Sequence, residues 1–192
     1  MARFTKAELQ TFYGVDVPDL VGPDLRLLFC GINPGLWTAA TQTHFASPNN
    51  RFYPALHAAG LTDQLISRSD PITEDDRAHL IERGIGITNI VNKATARADE
   101  LSREDLHEGA RAVEAFVLEH QPKVIAILGV TAYRTAWRRP KAARGLQDEA
   151  IGGTELWVLG NPSGLNAHET VESLAEDFRV LAGAAGIEAH ER

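Results

Sequence analysis

Cysteine is scarce in this sequence, and long apolar runs are absent. The single cysteine, Cys30 in the segment LRLLFC, can form neither an internal disulfide nor a cysteine cage for zinc or an iron–sulfur cluster, so we interpret it as a core residue. No segment approaches the apolar length that spans a bilayer, and the start MARFTKAELQTFYG lacks the apolar run of a secretory signal. We therefore expect a cytoplasmic protein without membrane contact.

Metal-site and phosphate-loop patterns are also missing. The seven histidines have no spacing typical of a zinc site, and we interpret His44 and His168 as surface or rim residues. The sequence has no Gly-Lys-Ser/Thr phosphate loop, and the segment 84–89 lacks the third glycine of a dinucleotide-binding fingerprint. These absences disfavour a zinc site and a nucleotide-cofactor enzyme.

Positive charge is in deficit. The chain has 19 Lys and Arg against 26 Asp and Glu, a net charge of −7, which argues mildly against a nucleic-acid partner because phosphate binding draws on clustered cations. The segment YRTAWRRPKAAR, from Tyr133 to Arg144, nevertheless carries five basic residues and no acid. It is either a locally basic face or an ordinary solvated helix end and loop.

The apolar pattern predicts strands that alternate with helices. Short apolar runs predict strands over residues 25–30, 85–91, 123–128 and 155–159. A helix is expected from the capping pair Ser102 and Asp105 to His120, and another after Thr170. Near-continuous apolar strands are typical of a parallel sheet covered on both faces. We predict one α/β domain over residues 1–192, core about 25–182, built as a three-layer α/β/α sandwich with a mostly parallel central sheet.

Two loops at one rim of this sheet carry similar motifs. Ligands bind outside the carboxyl ends of the strands in such sheets, so the loops starting at Gly31, Asn92, Gly129 and Gly160 form the predicted functional rim. The first loop reads GINPGL and the last reads GNPSGL. Either motif alone is ordinary turn chemistry, but two of them at the same rim favour a site.

Three motifs resemble one family in order and spacing. FCGINPGL, FASPNNRF from Phe45 to Phe52, and NPSGL from Asn161 resemble the mismatch-specific uracil/thymine branch of the uracil-DNA glycosylase superfamily, and SREDLHEGARAV and PKVIAILGVTAY resemble its framework. The resemblance implies a monomeric, nucleoid-associated, monofunctional enzyme without metal or cofactor. It implies hydrolysis of the N-glycosidic bond of a damaged or mismatched pyrimidine flipped out of double-stranded DNA.

The same resemblance assigns roles to residues of the first two motifs. It implies that Asn33 holds the attacking water, that the backbone near Ile32 and Phe45 polarises the base, and that the Phe45 ring stacks on it. An amide does not ionise near neutral pH, so a slow reaction is expected. Gly35 leaves room for a thymine methyl or an exocyclic cytosine adduct. Thr38 either contacts the base or caps a turn.

The third motif is expected to contact the DNA duplex. The resemblance implies that Leu165 is a wedge that fills the space vacated by the flipped nucleotide, with Gly164 and Asn166 offering backbone groups to the orphaned base. Asn161 stands where strong superfamily members have a histidine. The other residues of this predicted DNA-contact loop are Pro162 and Ser163.

The second strand departs from the family pattern. Family members often carry a lysine and then Asp-Arg-Pro there, whereas this chain has Asn89 and Asn92. Because an amide both donates and accepts, Asn89 is expected to contact a base edge. Two interpretations remain: a slow glycosylase, or a damaged-DNA-binding protein without catalysis on the same scaffold.

Overall fold

A five-stranded sheet organises residues 4–190, which the computed structural model describes. Its strands lie in the order β2-β1-β3-β5-β4, and only β4, at one edge, is antiparallel to its neighbour. The fold-class prediction of a mostly parallel α/β sheet is confirmed. The strands are β1 (Leu27–Gly31), β2 (Ile85–Asn89), β3 (Val124–Leu128), β4 (Gly145–Leu146) and β5 (Glu155–Leu159).

Helices cover both faces of the sheet. Buried side chains of α3, α4 and α7 pack on one face, and those of α5 and α6 pack on the other, as predicted for a three-layer sandwich. Every residue of β1, β2 and β3 is buried, because both faces are covered. The helices are α1 (Lys6–Gln10), α2 (Leu36–Thr41), α3 (Phe52–Ala58), α4 (Glu74–Glu82), α5 (Arg103–His120), α6 (Val130–Ala136) and α7 (Val171–Ala185).

Both helix starts predicted from capping residues are confirmed. At α5, Ser102 Oγ accepts a hydrogen bond from the backbone N–H of Asp105 at 3.0 Å, and the Asp105 carboxylate accepts one from the backbone N–H of Ser102 at 2.8 Å. At α7, Thr170 Oγ1 accepts from the backbone N–H of Ser173 at 3.1 Å. These caps satisfy amide groups that have no partner within the helix.

An aromatic cluster lies in the core on the side of α3 and α7. Phe52 is fully buried, and its ring centroid lies 5.1 Å from that of Phe29 and 5.7 Å from that of Phe178. Cys30 follows Phe29 in β1 and faces the other side of the sheet. It is buried as predicted, and burial raises the pKa of its thiol. It is a packing residue.

Several predicted boundaries were wrong. β1 starts at Leu27 and includes Gly31, and β3 starts at Val124. β2 ends at Asn89, not at residue 91, so the second rim loop starts two residues earlier than Asn92 implied. The edge strand β4 was missed because its two residues form no apolar run. On the other edge, Leu20 and Ile87 exchange backbone hydrogen bonds of 2.9 and 2.7 Å in an isolated bridge.

Candidate active site

A cavity of about 740 Å³ opens at the carboxyl ends of the parallel strands. Loops that follow β1, β2 and β5 line it. Pro162 is the one predicted site residue outside the lining: it is buried, and its carbonyl accepts a hydrogen bond from the backbone N–H of Arg51 at 2.9 Å. The lining includes all other predicted site residues, namely Ile32, Asn33, Gly35, Thr38, Phe45, Asn89, Asn161, Ser163, Gly164, Leu165 and Asn166.

The amide of Asn33 has a fixed orientation. Its Nδ2 donates to the carbonyl of Lys93 at 2.9 Å and to Thr95 Oγ1 at 2.8 Å. Thr95 Oγ1 donates in turn to the carbonyl of Arg97 at 2.7 Å, so its lone pairs face Asn33. Both hydrogens of the amide are therefore used within the protein, and Oδ1 is the polar atom left to accept a hydrogen bond.

Thr95 is a site residue that sequence reasoning missed. It lies six residues beyond the end of β2, where no motif marks it, and it also lines the cavity. Its backbone N–H donates to the carbonyl of Pro34 at 3.2 Å, which joins the first and second rim loops. The only sequence signal for Thr95 was its position in a loop that was predicted to form part of the functional rim.

Phe45 has a backbone conformation that is unusual for a large side chain. Its φ of +56° lies in the left-handed region, which non-glycine residues adopt mainly where the surrounding structure enforces it. Its ring stacks on Phe52 with centroids 4.1 Å apart and an interplanar angle of 24°. The core thus supports one face of the ring, and the ring contributes to the cavity wall.

Gly31 allows Phe45 and Asn89 to approach the strand end closely. A Cβ at Gly31 would lie 2.6 Å from Asn89 Oδ1 and 3.2 Å from two ring carbons of Phe45. Any side chain at this position would therefore displace both cavity residues.

His44 lies beneath Asn89 rather than at the rim. The prediction of a surface or rim position was wrong, because only 4% of His44 is exposed. Its Nε2 lies 2.8 Å from the carbonyl of Pro18, and its Nδ1 lies 3.4 Å from Asn89 Nδ2. A carbonyl only accepts, so Nε2 carries the proton, and neutral Nδ1 accepts from the Asn89 amide. Burial lowers the pKa of His44 and so favours the neutral ring.

Gly35 and Thr38, two small residues that follow Asn33 in the sequence, have different surroundings. A Cβ at Gly35 would meet nothing within 4 Å, so this part of the cavity is open. Thr38 lies within α2 and is buried, which makes the predicted turn cap wrong. Its contact with a base stays a prediction.

Residues 161–166 form a compact turn, which we call the distal loop. The backbone N–H of Ser163 donates to Asn161 Oδ1, and that of Asn166 donates to the carbonyl of Ser163, both at 2.9 Å. Asn166 Nδ2 also donates to the carbonyl of Asn161 at 2.9 Å. Leu165 at the tip is 94% exposed. The loop therefore presents an isolated aliphatic side chain beside the cavity.

The basic segment of residues 133–144 does not line this cavity. Arg139 forms an ion pair with Glu149, and Arg144 pairs with Asp177 and with buried Glu169, the latter at 3.1 Å. Part of the positive charge is therefore neutralised within the protein. This arrangement favours the solvated interpretation of the segment over a basic face.

Neither a membrane helix nor a metal centre is found between residues 4 and 190. No helix there has both the length and the apolar composition needed to cross a bilayer. Within the same residues, no three His, Cys, Asp or Glu side chains are grouped in a way that would hold a metal ion.

Comparison with known proteins places the chain in a family. Its structure is similar to the solution NMR structure of a candidate uracil DNA glycosylase from Methanosarcina acetivorans, with a TM-score of 0.56 and 18% sequence identity over 86% of this chain and 96% of that chain. At this identity the likeness shows a shared fold. The family model of the uracil DNA glycosylase superfamily matches residues 18–182. The chain therefore belongs to the uracil DNA glycosylase superfamily.

Proposed function

We propose that this protein is a monofunctional DNA glycosylase that excises uracil, and related damaged or mismatched pyrimidines opposite guanine, from double-stranded DNA. Membership of the superfamily supports DNA glycosylase activity. One observation carries the proposal: a single cavity joins the oriented amide of Asn33, the supported ring of Phe45 and the exposed tip of Leu165. These are a water-holding group, a stacking surface and a wedge.

Asn33 acts by placing the water molecule. With its Nδ2 hydrogens bound to Lys93 and Thr95, Oδ1 accepts a hydrogen bond from a water below the sugar C1′. The amide cannot take a proton near neutral pH, so it orients the nucleophile and does not act as a base. Because the bond breaks with positive charge on the sugar and negative charge on the base, positioning and electrostatics carry the reaction.

Phe45 and Asn89 bind the flipped base. Stacking on an aromatic ring contributes about 1–3 kcal/mol per base, and Phe52 holds the Phe45 ring from below at 4.1 Å. Asn89 lines the cavity, and its Nδ2 lies 3.4 Å from His44 Nδ1, so we assign its Oδ1 as the atom that accepts a hydrogen bond from the base. Uracil and thymine carry an N3–H donor that suits this oxygen, whereas ethenocytosine does not.

Leu165 fills the gap that the flipped nucleotide leaves in the duplex. Its side chain is 94% exposed in the free protein, and burial of an aliphatic side chain contributes about 1.5–3 kcal/mol. This offsets much of an unstacking cost of about a few kcal/mol. The wedge role therefore explains an exposed leucine that contributes little to the protein core.

Single-turnover cleavage tests the proposal. Duplexes with uracil, thymine, ethenocytosine or hypoxanthine opposite guanine are incubated with excess protein, and abasic sites are converted to strand breaks with alkali. We expect uracil and thymine to be excised faster than ethenocytosine because of the acceptor oxygen of Asn89. Binding to these duplexes should weaken with salt, with a log–log slope of about −0.9 per phosphate contacted.

The rival function is damaged-DNA binding without cleavage. Among the cavity-lining residues that the structure describes, Asp99 is the only carboxylate, and it pairs with Arg97 at the surface. The described cavity lining therefore offers no carboxylate outside an ion pair, and this favours the rival. Salt-sensitive binding without cleavage of any duplex supports it, and binding that does not respond to salt contradicts both DNA functions.

Gly35 provides a test of the cavity's size. Because its φ is −79° and a Cβ there meets nothing within 4 Å, a larger residue fits without backbone strain. We expect Gly35→Phe to lower thymine excision relative to uracil excision by about tenfold or more, since the ring would occupy the space of the thymine methyl. The measurement is the ratio of single-turnover rates on G·T and G·U duplexes. Gly35→Ala is the matched control, and an equal ratio in Gly35→Phe contradicts the assignment.

His44 sets an acid limit for stability. Its pKa is lowered by burial, with Asp19 opposing and Arg77 reinforcing the shift. The unfolded chain therefore binds this proton first, so stability is complete above the ordinary histidine pKa of about 6.5 and declines as the pH falls below it. We expect the free energy of unfolding to fall less steeply between pH 7 and 5 in His44→Gln, measured by urea denaturation. Equal slopes in the two proteins would exclude this role.

A further inference from the structure

We infer that Arg51 is a positioning residue that holds the distal loop in the conformation that enters DNA; this inference rests on the proposed function. Arg51 immediately precedes α3, and its Nη1 donates to the carbonyl of Ser163 at 2.7 Å and to that of Asn166 at 3.0 Å. These carbonyls lie on either side of Leu165. The backbone N–H of Arg51 also donates to the carbonyl of Pro162 at 2.9 Å.

The loop is seated directly on the segment that contains Arg51. A Cβ at Gly164 would lie 2.6 Å from the Cβ of Asn49 and 2.7 Å from its carbonyl oxygen, so the two backbones are nearly in contact. Leu165 is too exposed to anchor the loop itself. The contacts with residues 49–51 therefore fix where the leucine points.

Arginine suits this role because its long side chain ends in a charged group with several N–H donors. A charged donor gives stronger hydrogen bonds than a neutral one, and here Nη1 alone donates to both carbonyls. Between residues 4 and 190, Arg51 forms no ion pair with a carboxylate. Its positive charge therefore remains available beside the loop that approaches the DNA backbone.

The hydrogen bonds from Arg51 to the distal loop, which we call the clasp, also connect the wedge to the base pocket. Arg51 belongs to the segment between Phe45, which forms the stacking surface, and Phe52, which supports it. The hydrogen bond from its side chain to Ser163 joins two residues that are 112 positions apart in the sequence. A loop ordered before binding does not lose its freedom when DNA binds, which favours entry into the duplex. Removal of the clasp is thus expected to weaken the wedge function of Leu165.

Hydrogen exchange of the free protein tests the positioning role without an activity assay. Amides of Ser163, Leu165 and Asn166 donate within the distal loop. In Arg51→Met we expect their exchange to be faster by about tenfold or more, as local opening becomes easier. The matched control is Arg179→Met, because Arg179 Nη2 also donates to a backbone carbonyl, that of Ala58 at 2.7 Å, away from the cavity. Unchanged exchange in Arg51→Met overturns the inference.

A double-mutant cycle on a G·U duplex links Arg51 to Leu165. In the wild-type background, Arg51→Met is expected to slow single-turnover excision by about tenfold. In the Leu165→Ala background, the same substitution is expected to slow it by less than about twofold, because the loop then has no wedge to position. Losses that multiply overturn the inference. If Arg51→Met does not fold, Arg51→Gln, whose side chain is shorter and uncharged, replaces it in both experiments. If wild type cleaves no duplex, the proposed function fails, and the exchange rates alone decide the role of Arg51.

Discussion

Asn33→Ala is expected to lower single-turnover excision of uracil from a G·U duplex by about 10²-fold or more, the cost of losing a well-placed reactant. The substitution removes Oδ1, the proposed acceptor for the water, and leaves the Lys93 carbonyl and Thr95 Oγ1 without the Asn33 amide. Affinity for the duplex should change little because Phe45 and Leu165 remain. Single-turnover rates and equilibrium binding, measured on the same duplex, separate the two effects. A rate within a few-fold of wild type would sink the assigned role of Asn33.

Thr95→Val is the matched positioning variant for that experiment. Valine has nearly the same shape as threonine but removes Oγ1, the atom that lies 2.8 Å from Asn33 Nδ2. The carbonyl of Lys93 still accepts from the amide at 2.9 Å. We therefore expect a smaller loss of rate than in Asn33→Ala. An equal loss would mean that Thr95 itself contacts the reacting atoms.

Phe52→Ala is expected to lower the free energy of unfolding by about 3–5 kcal/mol, the usual cost of truncating a buried aromatic residue. The ring is fully buried and lies against Phe29, Phe45 and Phe178, with the Phe45 ring stacked on it at 4.1 Å. Its loss leaves a cavity in the core and removes the support of the Phe45 ring, the proposed stacking surface. Urea denaturation, monitored at constant pH, measures the change.

Two variants serve as controls for Phe52→Ala. Phe116, on the opposite side of the sheet, is half-buried and stacks on His120, so Phe116→Ala is expected to cost much less stability. Phe52→Leu keeps most of the volume but removes the flat support under Phe45. It should lower excision more than its loss of stability explains. Equal costs at Phe52 and Phe116 would contradict the central place of Phe52 in the core.

The sheet and the two rim motifs were predictable from sequence because their signals are local. Apolar runs mark the parallel strands, and the loops with Asn33 and Leu165 directly follow two of them. By contrast, β4 is two residues long and half exposed, so it leaves no apolar run. Pro162 belongs to a rim motif but is buried away from the cavity. Its position depends on the path of the loop backbone, which the motif does not specify.

The residues that orient the site were not predictable because their contacts are distant in sequence. Thr95 lies 62 residues from Asn33, and Arg51 lies 112 residues from Ser163. His44 adjoins Phe45 in a predicted site motif, which suggested a rim position, yet it is buried with Pro18 and Asn89 as its hydrogen-bond partners. Motifs identify the side chains that meet a ligand, whereas tertiary contacts decide which groups hold them in place.

The short pieces at the two margins of the sheet bear on self-association. An unpaired strand margin is a template for adding a strand from another chain, and proteins blunt such margins with very short strands. Here β4 pairs only Gly145 and Leu146 with β5, and the bridge between Leu20 and Ile87 occupies part of β2. Neither margin is a long, regular template for a second copy. Growth of the sheet into aggregates is thereby disfavoured at both ends.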